Sequence, residues 1–584
     1  MAEIMATLPI VESELPPVTA QQPQLRVGVL LDSLLLPNWA CHILDEMQRL
    51  EGVELIVIAV ETDDSSVSSI ANYDHTPKLV RLWCDLDRSF FSKRSAHHDA
   101  MAPRRFTPTN GVVITSCPAQ SGIHAFIPQT ISKLRSMQLD VLLNLSSMEP
   151  TRELQGIAKH GLWWFGDGND LGTDLFWLLY ERAAVFDNTL NISSSQFGTA
   201  TLPGCCCAAD KYSLFRNLTE SYWRRWGPVQ RGLNEIRYDG QVHSDRLVTL
   251  PASPHTRPRN RECAGLLIRL LGRMLHDCGL KFLQREEWFI AFRKIHGLSG
   301  STSAKDDFTV LRPPAGHFYA DPFVIEREGT TYIFFEDYSY ASGKAVISFI
   351  TINAEGECSP PQVALQEDYH LAYPCLFQWN REIYLLPETK NCQTIQLYRA
   401  LNFPHQWEIA HVLQEDVSAV DSTLLSHDGK FWLFTSGLNS DGQGFDGDTE
   451  LFLFFSSSLS GPWKPHPKNP VVTDVRNCRG AGQMQKWNGQ LIRPAQDCSS
   501  IYGHAVVLNH IDVLSENDYR ETPIAVISPE WLDRNLGTHT FNCSRTYEVL
   551  DGRVPVSRFW NGRDSARFET APAAKPLFSG FNDV

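Results

Sequence analysis

From Ala320 onward, apolar stretches of strand length recur in pairs, each pair joined by a tight polar turn. ADPFVIEREGTTYIFFED (from Ala320), AYPCLFQWNREIYLLPET (from Ala372), VDSTLLSHDGKFWLFTS (from Val420) and RGAGQMQKWNGQLIRPAQD (from Arg479) are four copies of this unit. Asp321 precedes Tyr332 by the spacing that separates Tyr373 from Tyr384, Asp421 from Trp432 and Gly480 from Leu491. HTFNCSRTYEVLDGRV, from His539, is a weaker fifth copy, and further apolar strands such as AVISFITIN and HAVVLNHIDVL lie between copies. A unit returning at roughly 50- to 60-residue intervals with four strands per copy is a propeller blade. Residues 288–570 are therefore predicted to form a five-bladed β-propeller. The strand around Trp288 is expected to join the last blade and close the ring, which removes an exposed edge.

The pattern differs before residue 250. LRVGVLLDS, a stretch with helical apolar spacing (Trp39, Ile43, Leu44, Met47) and VELIVIAV form a β-α-β series, and a helix followed by LDVLLNLS extends it. Buried apolar strands alternating with amphipathic helices predict a Rossmann-like α/β domain over residues 25–250. Ligands of such sheets lie at the carboxyl ends of the strands, which puts Asp32 and Ser33 on one rim of a crevice and Asn144 on another. Asp32 reads equally well as a helix cap. Residues 1–24 read as a disordered Pro-rich tail, 251–287 as a linker and helix, and 571–584 as a C-terminal tail. Within GLLIRLLGRMLHDCGLKFL, Arg269 and Arg273 share a face while leucines fill the other. Domain packing is the expected role of that helix, in preference to peripheral membrane contact.

Charge narrows the partners. A net charge of −15 argues against nucleic acid, which needs clustered cations. The 14 cysteines include the run Cys205-Cys206-Cys207 but no paired C-x-x-C, so neither a zinc site nor a disulfide framework is indicated. With no secretory leader pattern and no apolar run long enough for a bilayer, a cytoplasmic location is expected.

Propeller geometry supplies the candidate chemistry. The first strand of every blade lines the axis, so Asp321, Tyr373, Asp421, Gly480 and His539 should meet around one funnel. Paired carboxylates in a shared cavity suit glycosidic bond chemistry, and Tyr319, Tyr340, Tyr373 and Trp560 offer faces for sugar rings. Arg493, Gln496, Asp497 and Tyr502 form a polar cluster suited to hydroxyl-rich or anionic ligands, or else an inter-strand salt bridge. No metal is demanded, although an axis lined by Asp could hold Ca2+.

Three resemblances add to this reading. ELQGIAKHGLWWFGDGNDLGTDLFW, from Glu153, resembles the middle of formyltransferase-fold domains, though the signature N-x-H-P-S-L-L-P is absent and His160 lacks Asn and Asp partners in register. Folate or a nucleotide sugar is the class of cofactor expected in the N-terminal domain, and Asp167 and Asp170 in the Gly-rich turn read equally as ligand contacts or as turn residues. A-D-P-F in the first blade and D-S-T in the third resemble the five-bladed enzymes of glycoside hydrolase family 43. That likeness implies Asp321 as general base and Asp421 as orienting group. The family's acid, a Glu opening the fourth blade, is missing from Arg479-Gly480-Ala481-Gly482-Gln483. Glu388 in LLPETK and Glu336 or Asp337 in FFEDY are the candidate substitutes, the alternative being that they pair with Arg493 or stabilise a blade edge. HFYADPF, YPCLF, LLPE, DST and RPAQDCSSIYG together resemble the propeller region of plant glucosamine inositolphosphorylceramide transferases. In those proteins the resemblance assigns sugar transfer to a separate domain. The expected function is a carbohydrate-active protein with glycosidase-like or sugar-transfer chemistry, with Asp321, Asp421 and Glu388 catalytic and Tyr319, Tyr373, Glu336, Arg493, Gln496, Asp497 and His539 contacting substrate. The alternatives are a non-catalytic glycan-binding propeller coupled to the N-terminal domain, and a formyl or acyl transferase acting on an amino sugar.

Overall fold

The computed structural model describes residues 24–61, 78–92, 99–108, 113–120, 125–126, 128–146, 149–166, 171–194, 198–243, 247–248, 255–295, 307–437, 447–487, 489–559 and 565–572. Asp167, Asp170, Trp560 and almost all of both predicted tails lie outside them.

Residues 25–208 build an 8-stranded sheet. Its centre is parallel, in the order Leu162–Trp164, Val141–Asn144, Leu25–Leu31, Val53–Glu61 and Val113–Gln120. Both faces of the sheet are covered, which explains why Val27, Val29 and Leu31 pack in one core while Leu30, Ile56 and Ile58 pack in another. Winding reverses between Leu25–Leu31 and Val141–Asn144, so their carboxyl ends lie at the switch point where a crevice is expected. The cysteine run lies in an antiparallel edge strand, Gly198–Ala208, with Cys205, Cys206 and Cys207 buried.

That edge is covered by the propeller. The Cys206 amide donates to the Thr473 carbonyl at 3.0 Å and its carbonyl accepts from Val475 at 3.1 Å. Arg231 donates to the Thr473 hydroxyl at 2.7 Å, and Arg224 pairs with Glu450 at 3.5 Å. A buried edge of this kind has its backbone groups satisfied by the neighbouring body.

Four sheets of four strands and one of five form the ring. In the first three blades the opening hairpin turns through two left-handed residues: Glu328 and Gly329, Asn380 and Arg381, Asp428 and Gly429. This is the turn geometry that matches strand twist. The fifth sheet combines Phe541–Cys543, Tyr547–Ser557, Gln284–Lys294, Phe308–Arg312 and Arg567–Ala571 in that order. The strand around Trp288 thus completes the last blade, locked by a buried Arg293–Glu548 ion pair. The linker region differs from expectation, because helix Asn260–Leu283 runs directly into the blade strand at Gln284.

Candidate functional site

Each of the first three blades opens with the same irregularity. Pairing slips between Ala320 and Phe323, between Ala372 and Cys375, and between Val420 and Thr423. Asp321, Tyr373 and Asp421 sit in these bulges with φ of 52°, 45° and 46°. Left-handed backbone is costly for a bulky residue such as Tyr373, and such strain collects where side chains must be aimed.

The bulges free amides, and acidic side chains of the neighbouring blade accept them. Asp551 in the fifth blade accepts from the Asp321 amide at 3.2 Å, Asp321 from the Tyr373 amide at 3.2 Å, and Glu388 from the Asp421 amide at 3.4 Å. The axis acids therefore stitch blade to blade. Register also brings in second-strand residues, since Glu336 pairs with Ala320 and Glu388 with Ala372. The far end of the second strand meets the start of the first, so both glutamates stand beside the aspartates. Gln496 holds the matching place in the fourth blade, its amide bonded to the Arg479 carbonyl at 2.8 Å.

Asp321 is buried and accepts from the Thr540 hydroxyl at 2.8 Å, with His539 Nε2 at 3.3 Å. His539 Nδ1 lies 2.8 Å from Asp551. Burial disfavours a charged imidazole, but the two aspartates outweigh it and raise the His539 pKa to about 10. Burial pushes Asp321 up, yet the hydrogen bond and charge of His539 hold its carboxyl below the ordinary range. Among the described residues, Glu336 and Glu388 have no ion pair with a charged cation, although Arg479 and Lys390 act on Glu388 from a distance. Burial and the nearby Asp321 raise Glu336 well above its usual value. Burial and Asp421 raise Glu388 to about 8. One ring thus holds an ionised carboxylate, Asp321, beside Glu388, which keeps its proton to about 8, and Glu336, whose proton affinity is raised.

Asp421 is held differently. Arg479 Nε donates to it at 2.5 Å and Gln496 at 2.9 Å, while Arg479 also pairs with Asp448 at 2.7 Å. The missing fourth-blade acid has a steric counterpart here: a side chain at Gly480 would lie 2.8 Å from the Asp421 carbonyl and 2.9 Å from the Tyr373 hydroxyl. Arg479, one residue earlier, delivers a guanidinium instead. Asp421 is consequently an ion-paired residue of the axis.

Other expectations change as well. Tyr319 is buried against Phe335, with ring centroids 4.7 Å apart, so it presents no face to a sugar. Tyr373 is fully buried, and its hydroxyl accepts from the Gly482 amide at 2.7 Å and bonds Thr423 at 2.9 Å. It plugs the axis and cannot line an open funnel. Arg493 is buried and forks onto Glu521 at 2.6 and 2.7 Å. The salt-bridge alternative holds for it. Asp497 accepts from the Ser499 amide at 2.9 Å in a local turn. Arg493→Ala is expected to destabilise the protein by about 3–5 kcal/mol, because it strands a buried carboxylate, and to leave ligand affinity unchanged. Urea denaturation and calorimetric titration check the two halves of that statement.

Trp288 and Tyr502 flank the His539 ring at 4.3 and 5.5 Å, and Arg479 lies over Tyr502 at 5.0 Å. Tyr502 is 43% exposed, so this aromatic pair lies on the solvent-facing side of His539. His370 approaches Glu336 at 3.4 Å and is held neutral by burial. Among the described residues, Asp321, His539 and Asp551 bring potential metal-ligand atoms within 4.8 Å of one another. Occupancy by a metal would require neutral His539, and a mixed imidazole and carboxylate set suits a transition metal better than Ca2+.

The N-terminal crevice is less developed. Asn144 accepts from the Ser146 amide at 3.1 Å and from its hydroxyl at 2.7 Å, while the Ser33 hydroxyl accepts from the Leu35 amide at 3.1 Å. Asp32 is exposed and is no helix cap, since the next helix, Asn38–Arg49, begins at Pro37 without a side-chain cap. His160 is buried, and burial lowers its pKa, which makes it a packed neutral residue rather than a proton carrier.

Fold and site together define a five-bladed β-propeller with an acidic, partly neutralised axis. Residues 310–560 match the family model described as glucosamine inositolphosphorylceramide transferase 1, N-terminal. The chain is similar to glucosamine inositolphosphorylceramide transferase 1 of Arabidopsis thaliana, at 36% identity over 36% of this chain and 27% of that protein. It is 35% identical to the enzyme of the same name from Oryza sativa subsp. japonica, over 42% of this chain and 32% of that protein. The chain thus spans about a third or less of the curated relatives it matches. Solved structures similar to it include the family 117 glycoside hydrolase Zg3597 of Zobellia galactanivorans, at 12% identity, TM-score 0.30, over 47% of this chain and 91% of that one. The Cellvibrio cellulosa α-L-arabinanase matches at 11% identity, TM-score 0.28, over 40% of this chain and 94% of that one. The family match begins at residue 310, and no formyltransferase likeness is established for the N-terminal sheet.

Proposed function

We propose that the propeller axis is a carbohydrate-processing centre acting on the sugar of a glycoconjugate. The observation that carries this reading is the separation of proton affinities within one ring: Asp321 is held ionised while Glu388 keeps its proton to about 8. Environments that push paired carboxyls apart assign a base and an acid. Asp321 Oδ2 carries one long hydrogen bond from the Tyr373 amide and retains a lone pair for the proton of an incoming hydroxyl, from water or an acceptor sugar. Glu388 donates its proton to the departing glycosidic oxygen. His539 holds the charge of Asp321 in place, and Trp288 and Tyr502 supply apolar faces for the ring.

A second reading, glycan binding without turnover, is favoured by the Arg479–Asp421 pair that occupies the place of a third acid. An N-terminal nucleotide-sugar or folate site belongs to either reading as a further proposal, resting on the crevice between Leu25–Leu31 and Val141–Asn144. A screen of aryl glycosides, glycosylated inositol phosphates and nucleotide sugars, followed by product release and calorimetric titration, tests both readings. Sugar release or transfer supports catalysis; binding without product leaves the lectin-like reading; neither result with any glycan ends both.

A further inference from the structure

Helix Asn260–Leu283 buries only Cys263, Leu266 and Leu270 of its side chains, all in its first half. Beyond them Ile268, Leu271, Leu275 and Phe282 are 73%, 59%, 66% and 69% exposed. Their spacing places them on one face of the helix. Phe559, 70% exposed, meets Phe282 edge-on at 6.0 Å and carries the stripe onto the propeller. The expected packing role accounts for the start of the helix and leaves the rest uncovered.

The adjoining face of the same helix lines a cavity of about 580 Å³, shared with Arg182, Lys211 and Ser500. Its electrostatics are one-sided. Lys211 is neutralised by Asp277 at 2.8 Å, and Asp210 is paired with Arg216 at 3.1 Å. Arg269 and Arg273 donate only to the carbonyls of Tyr180, Leu179 and Lys211, and among the described residues neither they nor Arg182 has a carboxylate partner. The Arg273 Nε is buried with no hydrogen-bond partner among the described residues. Burial, then the charges of Arg182 and Arg269, hold Arg273 below its usual basicity, as expected of crowded cations.

We propose that this face docks the protein on an anionic phospholipid bilayer, with a headgroup phosphate in the arginine cavity and the stripe of Ile268, Leu271, Leu275 and Phe282 against the acyl boundary. Each half of the surface needs what the other half's partner supplies. An anion alone leaves the apolar stripe in water, and an apolar partner alone leaves the guanidinium cluster unneutralised. A second copy of the chain is disfavoured, because a two-fold contact through this patch would set its arginine clusters near one another. The net charge of −15 opposes an anionic surface only over long distances, and salt screens it beyond about 8–10 Å, so the local cluster governs attachment.

Cosedimentation of the full chain with phosphatidylcholine vesicles, with and without phosphatidylserine, tests the proposal. The expected result is binding that requires phosphatidylserine, falls with salt, and weakens about 25-fold in R269Q/R273Q, roughly fivefold for each charge. L271S/L275S is expected to lose vesicle binding while melting at the wild-type temperature, since both positions are exposed. Binding that ignores phosphatidylserine overturns the proposal, as does absence of vesicle binding. Stabilisation by soluble glycerophosphoserine without vesicle binding reassigns the cavity to a free phosphate ester. A dimer in sedimentation velocity that L271S/L275S dissociates, with vesicle binding unaltered, assigns the stripe to a second copy.

Discussion

Asp321→Asn is expected to lower turnover on any processed glycoside by about 10²–10⁴-fold, the usual contribution of a positioned proton acceptor, while leaving glycan affinity within a few fold. The amide keeps the shape, and with its single oxygen at the Oδ2 position it still accepts from the Tyr373 amide while its NH2 donates to the Thr540 hydroxyl, so the bulge and the blade contact survive. What disappears is the negative charge. His539 then faces Asp551 alone, and its proton affinity falls. This gives the variant a thermodynamic signature separate from activity. In the wild type, a His539 pKa raised to about 10 from its ordinary value of 6.5 contributes stability that is fully present below 6.5 and is lost as pH rises through 10. The depressed Asp321 contributes stability present above its ordinary value of 3.8 and lost as pH falls through its folded value. Asp321→Asn removes the second contribution and shrinks the first, which together amount to on the order of a few kcal/mol at neutral pH. Urea denaturation from pH 5 to 10 should show a smaller alkaline decline in the variant. A variant with wild-type turnover would remove Asp321 from the chemistry, and an unchanged pH dependence would remove the charged His539 from the site.

Glu388→Gln should abolish the alkaline limb of the pH–rate profile. With Glu388 protonated up to about 8, wild-type kcat/KM is expected to decline above that pH as the acid is lost. The glutamine cannot donate a proton, so activity drops about 10²–10⁴-fold for substrates with poor leaving groups and much less for activated aryl glycosides. Stability moves oppositely. A half-buried acid with a raised pKa destabilises the fold progressively as pH rises from its ordinary value of 4.5 toward 8, and a neutral amide escapes that decline. A less active variant that is more stable at pH 8 would identify Glu388 as a functional group. Unchanged leaving-group dependence would shift the acid's role to Glu336.

The propeller was readable because its repeats carry turn chemistry and strand alternation together. Glu328-Gly329 and Asp428-Gly429 are sequence-visible turns, and the residues set around them recur on the axis. Convergence of Asp321, His539 and Asp421 followed from the repeat, whereas the place of Glu336 and Glu388 beside them rests on the pairing of second strand with first. Individual roles did not, because they depend on which cation each acid meets. Arg479 looked like the mere absence of an acid, whereas the close approach at Gly480 makes room for its guanidinium beside Asp421. Alternation could have separated Arg493 from Gln496, since residues an odd number apart on a strand face opposite sides. Asp551 was hidden by its setting: Asp-Gly signals a turn, yet Asp551-Gly552 lies inside strand Tyr547–Ser557, with Phe289 filling the space that a side chain at Gly552 would need. In the N-terminal half, the central strands announced themselves by apolar runs. The polar rim did not, because Asn144 and Ser33 bond to their own neighbours.

The last blade is assembled from segments far apart in the chain, with Arg293 and Glu548 separated by 255 positions. During synthesis, Gln284–Lys294 must therefore wait with its hydrogen-bonding edge uncovered until Tyr547–Ser557 leaves the ribosome. Such late closure makes the interval between the two an opportunity for mispairing, and gives strand Tyr547–Ser557 control over whether the whole circle is ever sealed.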